Sequence, residues 1–443
     1  MRVGIKRDHR AKGMGTAAHF LLLLLLQLLL PAPAHAVGAT RTFAGNASRL
    51  FNVVAFGARG DGRSDDTAAF QRTFDALGDG PGQVHVPTGN FLLTKTVHCA
   101  SPGLFSVRGE GPGSNLLWSF DDHLLSFAGS TVAMATVSDF TVASVGAKKS
   151  RGSAALSFSA GVVKSQFENI QLIGAGGLPS AGGVPNTTPI GTGFDLGTVT
   201  DTVALRNCLL WFGSGVGIKI GHGSEVRVEG GRWIGTKNDG GPKDSIGIYV
   251  TGNNGGVHVT SSDVISWGTG IQLDATNGKG SNREIFLTHA TLDSNQRGLT
   301  VFDNSYVSIA GCWAASSDLD NIWTHPLSNP QLAISGGTIF NAGAEGGDCA
   351  DDQCNGITVN GGSFVLSGVE VRNNKGYGVW TPNANVTGFV INGCRVFGNG
   401  RAGARLSGKD FAVTGNVFFG NSGGNLKLDA PSDAHVVANN VGV

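Results

Sequence analysis

Charge is what this chain of 443 residues has least of: Asp, Glu, Lys and Arg make up 14% of it, and 32 basic residues balance 32 acidic ones. A net charge of +0 excludes the broad basic surface that holds a polyanion, so nucleic acid is not an expected partner. Cysteine is scarce at 6 residues, too few in so long a chain for a disulfide scaffold, and no His/Cys spacing reads as a zinc site. Beyond residue 36 no apolar run is long enough to span a bilayer. Glycine, in contrast, is abundant, with 70 residues spread along the chain.

The start of the chain is set apart by composition. Lys6, Arg7, Arg10 and Lys12 precede an apolar run over residues 20–30 that only Gln27 interrupts, and Ala34-His35-Ala36 follows. Basic, apolar, then small-x-small is the order of a cleavable secretory signal, and the run is short for a span of about 20 residues. The chain is therefore divided into a signal peptide at 1–36, a linker at 37–50 and one folded domain at 51–443, which places the protein outside the cell with no membrane contact after cleavage. Asn46, Asn186 and Asn385 each open an Asn-x-Ser/Thr acceptor for glycosylation in a eukaryotic host.

A repeat decides the fold. Apolar residues at i and i+2, Gly or Asn at i+4 and an apolar residue at i+7 recur in Val226/Val228/Gly230/Trp233, Leu332/Ile334/Gly336/Ile339, Phe364/Leu366/Gly368/Val371 and Phe389/Ile391/Gly393/Val396. Between the copies lies a second pattern, Gly-apolar-x-apolar, as in Gly247-Ile248-Tyr249-Val250 and Gly298-Leu299-Thr300-Val301. Strands this short cannot bury an apolar side alone, so each coil must stack on the next, and Gly or Asn marks the corners where a left-handed backbone costs least. The expected fold is all-β, a right-handed parallel β-helix of about twelve coils from near Ala135 to Val441. A helix over residues 65–77, with Phe70, Phe74 and Leu77 on one stripe, is expected to cap it.

Phe51-Asn52-Val53-Val54-Ala55-Phe56-Gly57-Ala58, then Gly60-Asp61-Gly62-Arg63-Ser64-Asp65-Asp66-Thr67 and Gly82-Gln83-Val84-His85-Val86-Pro87, resembles the opening of the pectate-lyase-like superfamily. Polygalacturonases, rhamnogalacturonases, alginate epimerases and phage tailspikes share that opening. The resemblance implies the pectin-lyase-type solenoid and assigns Asp61, Asp65 and Asp66 to the entry turn and capping helix. It does not carry a reaction: Gly221-His222-Gly223 precedes Asp351-Asp352, the reverse of the polygalacturonase order, and the Asp-Pro-His-Glu element of alginate epimerases is absent. Related β-helices also form trimers, so a homotrimer is an open expectation.

Candidate chemistry comes from columns, because outward residues of neighbouring coils lie about 5 Å apart. Reading i+6 up the coils gives Arg232, Asp263, Thr291, Trp313, Thr338, Glu370 and Arg395, and i+8 adds Asp293 one coil above Asp263. Asp263, Asp293 and Arg232 are the candidate catalytic group. Two carboxyl groups can divide acid and base roles, and an aromatic face such as Trp313 stacks on sugar rings. Tyr249, Trp323 and Trp380 share an outward column of the second strand set and offer another glycan strip, while loops at 174–192, 235–245, 274–284 and 341–355 build walls. Asp239 and Asp244 in the second of these are candidate substrate contacts, with Lys237, Lys243, Lys279, Arg283, Glu284, Glu345, Asp348, Asp351 and Asp352 as other charged wall residues. Cys208, Cys312 and Cys394 fall at an inward position, and Cys349 and Cys354 bracket one loop as a candidate disulfide. His222, His258, His289 and His325 are scattered, His289 at a corner. No metal site and no cofactor are expected, except that a lyase could require a divalent cation such as calcium. The expected function is cleavage of a polysaccharide, on a uronate-containing glycan, by hydrolysis or β-elimination. A C5-epimerase and a non-catalytic glycan-binding surface protein are the alternatives.

Overall fold

The computed structural model describes residues 49–174, 187–252, 254–275, 281–344, 349–350, 352–429 and 434–443. The expected signal peptide, nearly all of the linker, and the Asn46 and Asn186 acceptors lie outside the described residues. Among the described residues no helix is long and apolar enough to cross a membrane.

Each turn of the chain lays down short strands that pair in parallel with their counterparts one turn on, so the domain is a parallel β-helix with three faces. The first face is a 16-stranded sheet that begins at Leu50–Asn52 and ends at His435–Ala438, with Val132–Ala133 as a side strand. The second and third faces belong to one 26-stranded sheet, because the long strand Leu209–Ile220 turns their shared corner. It pairs with Gln171–Ile173 through its first residues and with Ile190–Asp195 through its last.

The repeat maps onto this geometry directly. In the rung of Val226, residues Val226, Val228 and Trp233 are fully buried, and the intervening positions point outward. Register-matched residues of one kind then stack inside the coil: Phe364, Phe389 and Phe411 lie with ring centroids 4.9 and 4.6 Å apart. The corner between first and second faces is a column of left-handed residues, among them Asp139 (φ 63°), His289 (φ 49°) and Asn439 (φ 56°). Gly337 shows why glycine is needed just past it, since φ is 77° and a Cβ would stand 2.2 Å from the Cys312 carbonyl oxygen. At the next corner a buried asparagine ladder replaces apolar packing. Asn374, Asn399 and Asn421 pass side-chain amide hydrogen bonds from rung to rung at 2.9 and 2.8 Å, and Asn321, two rungs before Asn374, donates to it at 3.2 Å.

The stack starts earlier than near Ala135. Leu50–Asn52, Gly82–Val86 and Phe105–Gly109 pair successively and lead into Thr136–Ser138. Those early rungs escape the repeat because the helix interrupts one of them and residues 110–113 lengthen the corner of another. The helix spans Thr67–Leu77 and buries Ala69, Phe70, Thr73, Phe74 and Leu77. The acidic residues before it are structural. Asp61 accepts the backbone N–H groups of Arg63 and Ser64, which hold its carboxyl down at about 2. The buried Asp66 carboxylate accepts those of Arg59 and Gly60, and Asp65 accepts that of Thr67 at the helix start.

Candidate functional site

The second face carries the outward column read from the repeat: Arg232, Asp263, Thr291, Trp313, Thr338, Glu370 and Arg395 follow one another in register. Their neighbours two residues on form a parallel column, Ile265, Asp293, Ala315, Phe340 and Arg372. Asp263 and Asp293 therefore sit diagonally on consecutive rungs, Asp293 two residues beyond the rung partner of Asp263. Arg232 Nε lies 3.6 Å from Asp263 Oδ2, with the two side chains 49% and 42% exposed, and its guanidinium stands 5.5 Å above the Trp211 ring. The Trp313 indole donates to Asp293 Oδ2 at 3.3 Å, and the Ser294 hydroxyl donates to Asp293 Oδ1 at 3.1 Å. Trp313 is 43% exposed and is braced edge to face by Phe340 at 4.6 Å. Beyond it Glu370 binds both Arg372 and Arg395 at 2.7 Å, and Phe397 stacks on Phe419 at 4.5 Å. The face thus presents two accessible carboxylates, a guanidinium and aromatic platforms on an open surface long enough for a chain.

The other candidates divide among different places. Asp239 lines a cleft of about 690 Å³ with Lys148, Phe212 and Pro242 at the next corner. Asp244 is exposed and pairs with Arg151 at 3.5 Å. Just before them in sequence, the loop is tied down by Lys237, whose ammonium reaches Asp318 at 2.7 Å. Tyr249 and Trp323 are on the third face, where Lys219, Tyr249, Gln272, Thr300, Trp323, Thr358, Trp380 and Arg405 form the outward column. They do not meet Asp263 or Asp293. Cys349 and Cys354 are joined, with Cα atoms 5.6 Å apart. Cys208, Cys312 and Cys394 are buried free thiols, and burial pushes the Cys208 thiol up to about 12. Asn385 is exposed in a turn. Lys279, Glu345, Asp348 and Asp351 lie outside the described residues. Among the described residues no group of three or more His, Cys, Asp and Glu is placed to hold a metal ion.

One titratable group was not legible in the motifs. Asp320 stands one rung from Arg297 at the start of the third face and is 1% exposed. One of its oxygens accepts the Asn355 N–H at 2.7 Å, and the Thr358 hydroxyl also bonds its carboxyl. Burial pushes the Asp320 carboxyl up to about 7 against the pull of that N–H and of Arg297, whose guanidinium lies 4.7 Å over the Trp323 ring. The signal is positional: Asp320 precedes Ile322 by two residues, as Asn355 precedes Ile357 and Tyr377 precedes Val379, and only the strand register aligns these.

Residues 50–104 match the family described as rhamnogalacturonase A/epimerase, pectate lyase-like. No curated protein matches the chain. Among solved structures it is similar to tailspike protein 3 of bacteriophage CBA120, at 12% identity over 89% of this chain and 62% of that one, with a TM-score of 0.52. The mannuronan C-5 epimerase AlgE6 A-module of Azotobacter vinelandii aligns at 14% identity over 88% and 98% of the two chains, with a TM-score of 0.43. A GH87 α-1,3-glucanase of Streptomyces thermodiastaticus aligns at 14% over 90% and 70%, with a TM-score of 0.47. The tailspike likeness shows the shared fold, and the opening segment is pectate lyase-like.

Proposed function

From a pectate lyase-like opening on a parallel β-helix, we propose that this chain is a secreted polysaccharide-processing enzyme that hydrolyses a uronate-containing glycan on its second face. The observation that carries this reading is the pair Asp263 and Asp293, diagonal on consecutive rungs, accessible, and flanked by Arg232 and the exposed ring of Trp313. Two carboxyl groups on one face can divide the acid and base roles that hydrolysis of a glycosidic bond requires.

The roles follow from the partners. A uronate carboxylate drawn to Arg232 displaces Asp263 from its cation and sets an anion beside it, so Asp263 carries the proton to the glycosidic oxygen. Asp293, held by the indole N–H and the Ser294 hydroxyl, takes a proton from the attacking water. Trp313 stacks on a sugar ring at the same level. Asp239 and Asp244 act as wall contacts and Tyr249 and Trp323 as a separate strip for a passing chain. Export rests on the basic, apolar, small-residue order of the first 36 residues.

The test is product analysis on pectic, alginate, rhamnogalacturonan and β-glucan substrates with the wild type, Asp263→Asn and Asp293→Asn. Saturated products, lost in both variants, are expected. Unchanged turnover in the variants would sink the assignment of residues. Unsaturated products would instead establish elimination, unchanged chain length with altered uronate stereochemistry an epimerase, and binding without turnover a glycan-binding protein.

A further inference from the structure

The first face holds a groove that the proposed chemistry does not use. It has a volume of about 630 Å³ and crosses four successive rungs, Ile285–Thr288, Tyr306–Ala310, Gln331–Ser335 and Ser363–Ser367. Outward positions of a solvated sheet are ordinarily polar, yet here Phe286 is 36%, Val365 42% and Tyr306 46% exposed. Ser308, Gln331 and Ser363 alternate with them, and Arg283 and Glu284 close one end. Phe286 is held flat by His258, whose ring stacks on it at 4.7 Å.

We propose that this groove is a second, non-catalytic glycan-binding site that holds a linear polysaccharide segment along the solenoid axis. The ligand class rests on the glycan reading above. The lining itself favours a sugar chain over a protein. Rings offering a face or edge beside hydroxyl and amide groups match the mixed apolar and polar surfaces of a pyranose. The strands that carry them lie ~4.8 Å apart, so each rung advances by about the length of one sugar unit. The groove floor measures about 20 by 17 Å, roughly 340 Å². That is well short of the ~800 Å² per partner that a stable dimer buries.

The experiment is affinity electrophoresis of the full chain through gels containing each of the same four polysaccharides, with sedimentation velocity on every variant. Wild type and the Asp263→Asn/Asp293→Asn double variant should be retarded equally by at least one of them. Tyr306→Ala/Phe286→Ala should bind that glycan roughly tenfold more weakly while cleaving short soluble oligosaccharides as the wild type does. Ala333→Arg, which sets a charge in the groove without removing any ring, should do the same. Equal retardation of the groove variants, or no retardation of the wild type by any of the four, overturns the proposal. So does a dimer or trimer that these variants convert to monomer, because a second copy would then fill the groove. Full turnover by the carboxylate variants would refute the hydrolytic site and leave this result standing.

Discussion

Asp320 gives the fold a pH dependence that can be worked from its surroundings. Its carboxyl moves from the usual range near 4 in the unfolded chain to about 7 in the fold, with burial as the largest cause. An acid raised in the fold binds its proton more tightly there, so its contribution is fully present below the unfolded value and is lost as pH rises through about 7. Three pH units at 1.36 kcal/mol each amount to about 4 kcal/mol between pH 4 and pH 8. Asp320→Asn keeps an oxygen for the Asn355 N–H and removes the ionisation. For a chain of this size the wild type and variant should melt alike near pH 4.5, and the variant about 5 °C higher at pH 8. Calorimetry across that range reads the difference, in which the other carboxylates cancel. A difference between the two proteins that stays constant with pH would refute the assignment.

Other expectations are simpler to state. Asp263→Asn and Asp293→Asn should each lower turnover by about 10²–10⁴ without weakening glycan retardation, which separates acid–base roles from binding. Trp313→Ala should raise KM several-fold and leave stability unchanged, because the ring is 43% exposed; an unaltered KM removes it from the site. Asn399→Ala deprives the Asn374 backbone N–H and side-chain amide of their shared acceptor, at 3.1 and 2.9 Å, and should cost about 3 kcal/mol in denaturant unfolding. Trp267→Ala should cost about 3–5 kcal/mol, since the ring is fully buried and its N–H binds the Trp233 carbonyl at 2.9 Å.

The coil was legible because burial in a β-helix is periodic. Val226, Val228 and Trp233 announce an interior by spacing alone, and a column such as Arg232, Asp263 and Trp313 follows once one frame is aligned with the next. The rungs before Thr136 were not legible as copies, since a helix and a lengthened corner break the frame without breaking the strand pairing. Sequence alone therefore determined the fold class and the inward and outward sides of each strand, and the resemblance of its opening segment implied the structural duty of Asp61, Asp65 and Asp66. Tertiary structure decided which outward residues share a face. It placed Asp239 in a cleft at the next corner, and it buried Asp320 one rung from Arg297. The physical reason is that period two fixes the side on which a residue lies, whereas the corners, whose lengths vary from coil to coil, fix the neighbours it meets there.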